Sequence, residues 1–229
     1  MYSHARVGIP LLLGGCTGPY STLDPAGPAA STAAQLWWGM FGFSLIVLLG
    51  VLALWLYAIW REPDEADRAG LQRIHNRWIL GGGLALPLGS ITLLLAFGIP
   101  AGHGMLPLPT DEKVLRIDVT GHQWWWEVHY PDTGVRLEDE LHIPAGVPVD
   151  LHLTSADVIH SFWVPRLGGK LDMIPGRTNV LRLQADEPGI YRGQCAEFCG
   201  LMHARMNFTV EAHAPDAFEA WLEDARPDD

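Results

Sequence analysis

Two long uncharged runs mark the first half of the chain. Leu36–Trp60 and Trp78–Ile99 contain no Asp, Glu, Lys, Arg or His, and they are 25 and 22 residues long. About 20 apolar residues suffice to cross the hydrocarbon core of a bilayer. Aromatic residues cluster at both ends of the first run, as they do at membrane interfaces. The pattern predicts a two-helix transmembrane hairpin over residues 36–99, embedded in a lipid bilayer.

After this hairpin the pattern changes to short alternating segments that Gly and Pro interrupt. Such segments are typical of strands, and several strands with regular turns favour a Greek-key sandwich or barrel. The sequence therefore predicts an all-β domain over residues 100–229, closed by an amphipathic helix over Pro215–Ala225. The predicted strands are Val114–Thr120, Trp124–Tyr130, Val147–Thr154, Asn179–Gln184, Ile190–Gly193 and Asn207–Glu211.

The N-terminus has the order of features of a secretory signal. Arg6 precedes a short apolar run, and small residues lead to Cys16. We predict a signal peptide of the lipoprotein type over residues 1–15, with Cys16 lipidated; an unmodified Cys16 on a disordered tail is the alternative. Residues 16–35 are rich in Pro, Gly, Ala and Ser, which predicts a flexible linker.

Charge gives the predicted orientation of the hairpin. The loop between the two runs carries Arg61, Arg68, Arg73 and Arg77, whereas the linker before the first run has no Lys or Arg. Because cytoplasmic loops are enriched in positive residues, we expect both termini and the β domain on the outer side of the membrane.

The net charge of −11 lies entirely on the predicted β domain. An acidic surface repels nucleic acid, and it can attract a basic protein partner or simply keep the domain soluble.

Side chains that can bind a metal are concentrated in residues 193–206, GQCAEFCGLMHARM. This segment contains Cys195, Cys199, His203 and Met206. Thiolate, imidazole and thioether groups select copper over calcium or magnesium. A mononuclear blue-copper site needs one Cys, two His and a weak axial Met, so this segment has one Cys too many and one His too few. His160 is the candidate for the missing imidazole. A Cys195–Cys199 disulfide, or methionines that merely fill the core, are the alternatives.

The same stretch resembles the binuclear copper (CuA) loop of cytochrome c oxidase subunit II. The resemblance extends to GHQWWW at 121–126, HSFWVP at 160–165 and IPGR at 174–177. It implies a cupredoxin-like domain in which Cys195 and Cys199 are bridging thiolates and His160 and His203 each cap one copper. It also implies weak ligation by Met206 and by the backbone carbonyl of Glu197, whose side chain would hold magnesium at the boundary with subunit I.

The resemblance further implies a function. The chain would be subunit II of a proton-pumping cytochrome c oxidase in the bacterial inner membrane, beside subunits I and III. Cytochrome c would dock on the acidic face near Asp157 and pass electrons in through Trp124. From there they would reach haem in subunit I, where oxygen is reduced to water.

Some residues depart from the pattern or stay unassigned. His75 stands where many relatives have a glutamate at a proton channel, and its role stays open. His122 is expected to be structural. No role is assigned to His103, His129, His142, His152 or His213.

Two other functions are open alternatives. A quinol oxidase subunit has the same fold without the copper ligands. A membrane-anchored copper-delivery or copper-binding module would bind the metal without electron transfer. Such a module needs neither two spans nor the Trp motif, so the presence of both speaks against it.

Overall fold

The computed structural model describes residues 13–61, 68–109 and 114–227. These residues form two compact units. One contains the described residues of Met1–Ser31 and Pro107–Asp229, and the other contains those of Thr32–Leu106. Most of the predicted signal peptide, residues 1–12, lies outside the described residues. Cys16 ends a short 3-10 turn and its thiol is exposed.

The second unit is helical and matches the predicted hairpin. Two helical segments, Pro28–Trp60 and Gly70–Gly104, are long and apolar enough to cross a membrane. Both extend beyond the uncharged runs that predicted them. Their elements are α1 (Pro28–Trp60), α2 (Arg68–Trp78), a π-helical turn (Ile79–Ala85) and α3 (Leu86–Gly104).

The π-helical turn has a local cause. Pro87 stands in the first turn of α3 and has no backbone N–H to donate to the preceding turn. The N–H of Leu86 bonds instead to the carbonyl of Gly81, five residues back. The glycines at 81–83 make this wider turn easy to adopt.

The first unit is a β sandwich of two five-stranded sheets with a closing helix. The elements are β1 Leu115–His122, β2 Trp125–His129, β3 Arg136–Glu138, β4 Glu140–Pro144, β5 Val149–Ser155, β6 His160–Trp163, β7 Leu171–Met173, β8 Asn179–Leu183, β9 Gly189–Cys195, β10 Asn207–His213 and the closing helix α4 Pro215–Asp224.

The two sheets have different strand orders. One sheet has the order β3-β2-β1-β5-β8 and the other has β4-β10-β9-β6-β7. β1 pairs in parallel with β5, and β4 with β10, whereas the other pairs are antiparallel.

Alternation along the strands builds the core. Every second residue of β5 is buried, beginning at Val149, and β10 follows the same period. The inward side chains meet between the sheets, where Trp126, Phe162 and Phe208 contact one another with ring centroids 4.6–5.8 Å apart. Alternation therefore located the long strands correctly.

Four strands were not predicted: β3, β4, β6 and β7. Three of them are only three or four residues long, too short for alternation to show. β4 is buried at four consecutive positions, so its sequence does not alternate either. These strands form because they pair with longer neighbours, which a local pattern does not reveal.

The structure differs from the prediction of a flexible linker over residues 16–35. The N–H of Ala26 donates to the carbonyl of Arg166 at 2.7 Å, and the N–H of Asp186 donates to the carbonyl of Ala26 at 2.9 Å. Arg166 also forms an ion pair with Asp24 at 3.2 Å. The segment is thus held on the sandwich, and α1 begins within it at Pro28, a residue suited to a helix start.

Gly27 tests this attachment. A Cβ at Gly27 would lie 2.3 Å from the carbonyl oxygen of Gln184 and 2.8 Å from that of Leu167. Since both are backbone atoms, we expect Gly27→Ala to lower the free energy of unfolding by about 1–3 kcal/mol. Urea unfolding of the full chain in detergent measures this, with Gly169→Ala as the control because nothing lies within 4 Å of its added Cβ. Equal stability of the two variants would mean that the segment is not fixed to the sandwich.

Candidate metal centre

The predicted copper ligands converge at one end of the sandwich. Cys195 ends β9, and the loop that follows returns through a 3-10 turn, His203–Arg205, to Met206 just before β10. His160 opens β6, which pairs with β9. Backbone hydrogen bonds close the loop, since the N–H of Cys195 donates to the carbonyl of Met206 at 2.9 Å.

The donor atoms are close together. The sulfur atoms of Cys195 and Cys199 are 3.8 Å apart, and both cysteines are free. A disulfide has a bond of about 2.05 Å, so the structure holds two separate thiols. His160 Nδ1 lies 3.9 Å from Cys195 Sγ, and His203 Nδ1 lies 3.6 Å from Cys199 Sγ.

Each thiol also has its own weak donor. The carbonyl oxygen of Glu197 lies 3.2 Å from Cys195 Sγ, and the Sδ of Met206 lies 3.7 Å from Cys199 Sγ. The cluster therefore has an approximate symmetry, in which each sulfur faces one imidazole and one weak donor.

These separations fit metal ligation. With metal–sulfur bonds of about 2.3 Å and tetrahedral angles, two sulfur ligands of one ion lie about 3.8 Å apart. The observed sulfur–sulfur and sulfur–nitrogen distances, 3.6–3.9 Å, match this spacing. Thiolate and thioether donors are soft, so the set suits copper and does not suit magnesium or calcium.

Burial separates the donors from water. His160 has no exposed surface, Met206 is 1% exposed, and Cys195 and Cys199 are 6% and 3% exposed. His203 is half-buried and is the most accessible of the side-chain donors. The site is thus enclosed by the protein, with His203 toward the surface.

His160 is oriented by its neighbours. Its Nε2 lies 2.8 Å from the carboxylate of Asp157, which also accepts the backbone N–H groups of Gln123 and Val158. A carboxylate on one ring nitrogen fixes the tautomer and leaves the other nitrogen free to ligate. Gly121 makes room for the ring, since a Cβ there would lie 2.9 Å from it.

The pKa values of the two thiols are shifted in opposite directions. Burial opposes ionisation of Cys195, but hydrogen bonds with His160 and with backbone groups at Ser161 and Glu197 outweigh it and lower its pKa to about 6. Burial and the nearby Cys195 thiolate raise the pKa of Cys199 to about 12. Cys195 therefore ionises more readily than Cys199, because two thiolates this close repel unless a cation lies between them.

Trp124 contacts the loop that holds the candidate ligands. Its indole N–H donates to the carbonyl of Cys199 at 3.3 Å, and the side chain of Gln123 donates to the same oxygen at 2.7 Å. Gly200, at φ +119°, lets both side chains approach, because its missing Cβ would lie 3.0–3.4 Å from them. Trp124 is half-buried, whereas Trp126 is a core residue at 1% exposure.

The crest of the loop is exposed and partly apolar. Phe198 is 76% exposed and Leu201 is 89% exposed, and the Glu197 side chain is exposed as well. The carboxylate of Glu197 therefore stays in water, although its backbone carbonyl faces Cys195.

Within the described residues of the sandwich, the other histidines lie outside this site. His122 stacks on Trp125 with ring centroids 4.2 Å apart, consistent with the structural role expected for it. His75 is exposed on α2 in the helical unit.

Sequence reasoning assigned Asp157 to partner docking and did not foresee its contact with His160. It also missed the space that Gly121 provides and the hydrogen bond from Gln123. The sequence places Gly121 and Gln123 only beside the tryptophan run, and nothing in it signals a contact made across the fold.

Gly121→Ala tests the support of His160. The new Cβ must displace the imidazole, so we expect copper affinity to fall about tenfold or more, the range seen when supporting groups of metal ligands are lost. Competition titration of the full chain against a copper chelator measures the affinity, with Gly169→Ala as the matched control. Unchanged affinity in Gly121→Ala would show that the ring position does not matter for metal binding.

Comparison with known proteins places this arrangement in a family. A family model described as cytochrome C oxidase subunit II, periplasmic domain, matches residues 133–213. The chain is 35% identical over 231 residues to cytochrome c oxidase subunit 2 of Alkalihalophilus pseudofirmus, which covers 93% of this chain and 65% of that protein. This chain therefore spans slightly less than two thirds of that relative.

Two further relatives are covered more completely. Cytochrome c oxidase subunit 2 of Cereibacter sphaeroides is 31% identical over 242 residues, covering 87% of this chain and 79% of that protein. Quinol oxidase subunit 2 of Bacillus cereus is 32% identical over 225 residues, covering 94% and 76%.

The predicted architecture, a two-helix hairpin with an all-β cupredoxin-like domain, is confirmed by the two apolar helices and the sandwich with its family match. Together with the identity and coverage of the Cereibacter relative, this shows that the chain belongs to the cytochrome c oxidase subunit II family, the second subunit of haem–copper oxidases.

Proposed function

We propose that this chain is the electron-accepting subunit of a proton-pumping cytochrome c oxidase, with a binuclear copper centre (CuA) held by Cys195, Cys199, His160 and His203. The observation that carries the proposal is the pair of free thiols 3.8 Å apart, each facing its own imidazole. Met206 and the carbonyl of Glu197 complete the set as weak ligands.

The symmetry of the donors favours two ions over one. A mononuclear blue-copper site uses one thiolate and two imidazoles on the same metal. Here the two imidazoles face different sulfurs, so each half of the cluster offers a separate position. When bound there, a pair of copper ions would supply one-electron redox chemistry, and Cys195, Cys199, His160 and His203 would hold it.

The protein residues keep this centre rigid. His160 is fully buried and held by Asp157, and a backbone hydrogen bond from the Cys195 N–H to the Met206 carbonyl closes the loop. Donors that are already in place need little rearrangement when charge arrives, which favours fast electron transfer.

Trp124 is the proposed route for electrons into the site. Its indole is half-buried and is joined by a hydrogen bond to the backbone of the ligand Cys199. The acidic charge of the domain supports docking of a basic cytochrome c. Asp157, placed between Gln123 and His160, would contribute to that surface while also orienting the ligand.

The exposed loop crest is the proposed contact with subunit I. Phe198 and Leu201 are large apolar side chains in water, beside the accessible ligand His203. Electrons would leave through His203 toward haem in subunit I, with subunit III completing the complex. The exposed carboxylate of Glu197 would bind magnesium at this boundary, a role that rests on the family resemblance.

The membrane arrangement is also part of the proposal. The two apolar helices would cross the bacterial inner membrane, with the sandwich and both termini on the outer side. The arginines near the hairpin turn support this orientation. The signal peptide over 1–15 and lipidation of the exposed Cys16 are predictions, and the role of His75 stays open.

The quinol oxidase alternative is raised by the Bacillus cereus relative. Such a subunit has no need of two thiols, two imidazoles and a thioether in one enclosed cluster. The presence of all these donors supports the cytochrome c oxidase function instead. A copper-delivery module is disfavoured by the burial of the donors, since delivery requires that the metal leave readily.

Trp124→Phe tests the route of electron uptake. Loss of the indole N–H breaks the link to Cys199, so we expect electron uptake from reduced cytochrome c to slow at least about tenfold, which corresponds to about 1.4 kcal/mol of activation free energy. Stopped-flow spectroscopy of the purified oxidase complex measures the rate, with copper content determined in parallel.

Trp125→Phe is the matched control, because Trp125 stacks on His122 rather than on the copper loop. We expect its rate and its copper content to stay at the wild-type level. Equal rates in the two variants would rule out Trp124 as the route, and absence of copper from the wild-type complex would overturn the proposed function itself.

A further inference from the structure

A second cluster of metal-binding side chains lies outside the copper centre. His142 on β4 and Glu211 and His213 on β10 place one potential ligand atom each within 4.8 Å of one another. The two strands pair in parallel with Glu211 beside His142, so the three side chains share the outer face of that sheet. Electron uptake uses none of them.

The two imidazoles are held together and fixed. His142 Nδ1 and His213 Nε2 are 2.7 Å apart, and both rings stack on Trp221 of α4, with centroids 4.0 and 5.8 Å from it. His142 is buried at 8% exposure, and its backbone bonds on both sides to the hydroxyl of Tyr130. The rings are therefore pre-positioned, with little freedom to lose when a ligand binds.

Carboxylates face the rings without bonding to them. Glu211 lies 3.9 Å from His142 Nδ1 and 3.8 Å from His213 Nδ1, and Glu140 lies 3.9 Å from His142 Nε2. These distances exceed hydrogen-bond length. The cluster thus gathers two imidazoles and two carboxylates around a small volume, with Glu211 46% exposed on its solvent side.

We propose that His142 Nδ1, His213 Nε2 and the Glu211 carboxylate bind a divalent transition-metal ion of the zinc class, with water as a further ligand. Two imidazoles and one carboxylate form a recognised zinc donor set, whereas calcium and magnesium prefer oxygen ligands alone. The carboxylates offset the charge of the cation, and Glu140 is placed to support the far nitrogen of His142.

Only a small adjustment is needed. With metal–nitrogen bonds of about 2.0–2.1 Å, two imidazole nitrogens on one tetrahedral ion lie about 3.3 Å apart. The ion would take the place of the proton between the two nitrogens, and that proton would move to His142 Nε2, which faces Glu140. The rings would separate by about half an ångström. It would join β4 to β10 and, through the Trp221 stack, fix α4 on the sandwich.

Zinc titration of the copper-loaded full chain in detergent tests the proposal. Copper would also outcompete zinc at this imidazole cluster, so a chelator first removes the copper that is not held by the enclosed thiol site. The thiolate donors retain the copper centre when zinc is then added. We expect one saturable zinc per chain by calorimetry, together with a rise in the thermal unfolding temperature. Copper content measured in the same samples keeps failure of the copper proposal separate from failure of this one.

Variants define the ligands. We expect His213→Gln and Glu211→Gln each to weaken zinc binding at least about tenfold and to remove the thermal shift. His152→Gln is the matched control, because His152 lies on β5 in the other sheet. Glu211 is half-buried with its carboxylate toward solvent, so Glu211→Gln keeps the test valid if His213→Gln fails to fold.

Three results would overturn the site. Failure of the wild-type protein to take up saturable zinc would show that the imidazoles form only a hydrogen bond. Zinc binding equal in all variants would mean surface binding elsewhere. Loss in His213→Gln with no change in Glu211→Gln would exclude the three-ligand assignment.

Discussion

The closure of one loop between two paired strands is the constraint on which the candidate centre depends. β9 and β10 are adjacent and antiparallel, and the bond from the Cys195 amide to the Met206 carbonyl continues their pairing into the loop. Ten residues must therefore return within one strand spacing, which turns Cys199 toward Cys195 and brings Met206 beneath it. The sulfur separation of 3.8 Å follows from this backbone geometry and needs no disulfide to enforce it.

The rest of the sandwich supports that loop from outside. β6 supplies His160, the turn between β1 and β2 supplies two donors to the Cys199 carbonyl, and Asp157 ties this turn to the imidazole. Acidic, aromatic and glycine residues that are distant in sequence thus position the same small group of donor atoms. Burial and repulsion by the Cys195 thiolate raise the pKa of Cys199, and a bound cation would relieve that repulsion.

The sequence predicted correctly the features that depend on residues close together in the chain. Uncharged length identified both apolar helices, period-two alternation identified the long strands, and donor type with spacing identified the residues that converge. Features that depend on contacts across the fold were missed. β6 is four residues long, the Asp157–His160 contact follows from the turn before it, and the polar, small residues at 16–35 resembled a linker because their hydrogen bonds to Arg166 and Asp186 leave no local pattern.

The most direct test of the binuclear centre is the electron paramagnetic resonance spectrum of the copper-loaded full chain in detergent, recorded with the copper content per chain. One unpaired electron shared equally by two copper nuclei gives a seven-line hyperfine pattern, and we expect this pattern with two coppers per chain. A four-line pattern with one copper would contradict it, because the donors would then form a mononuclear site. A silent spectrum together with an oxidised Cys195–Cys199 pair would remove the electron-transfer function altogether.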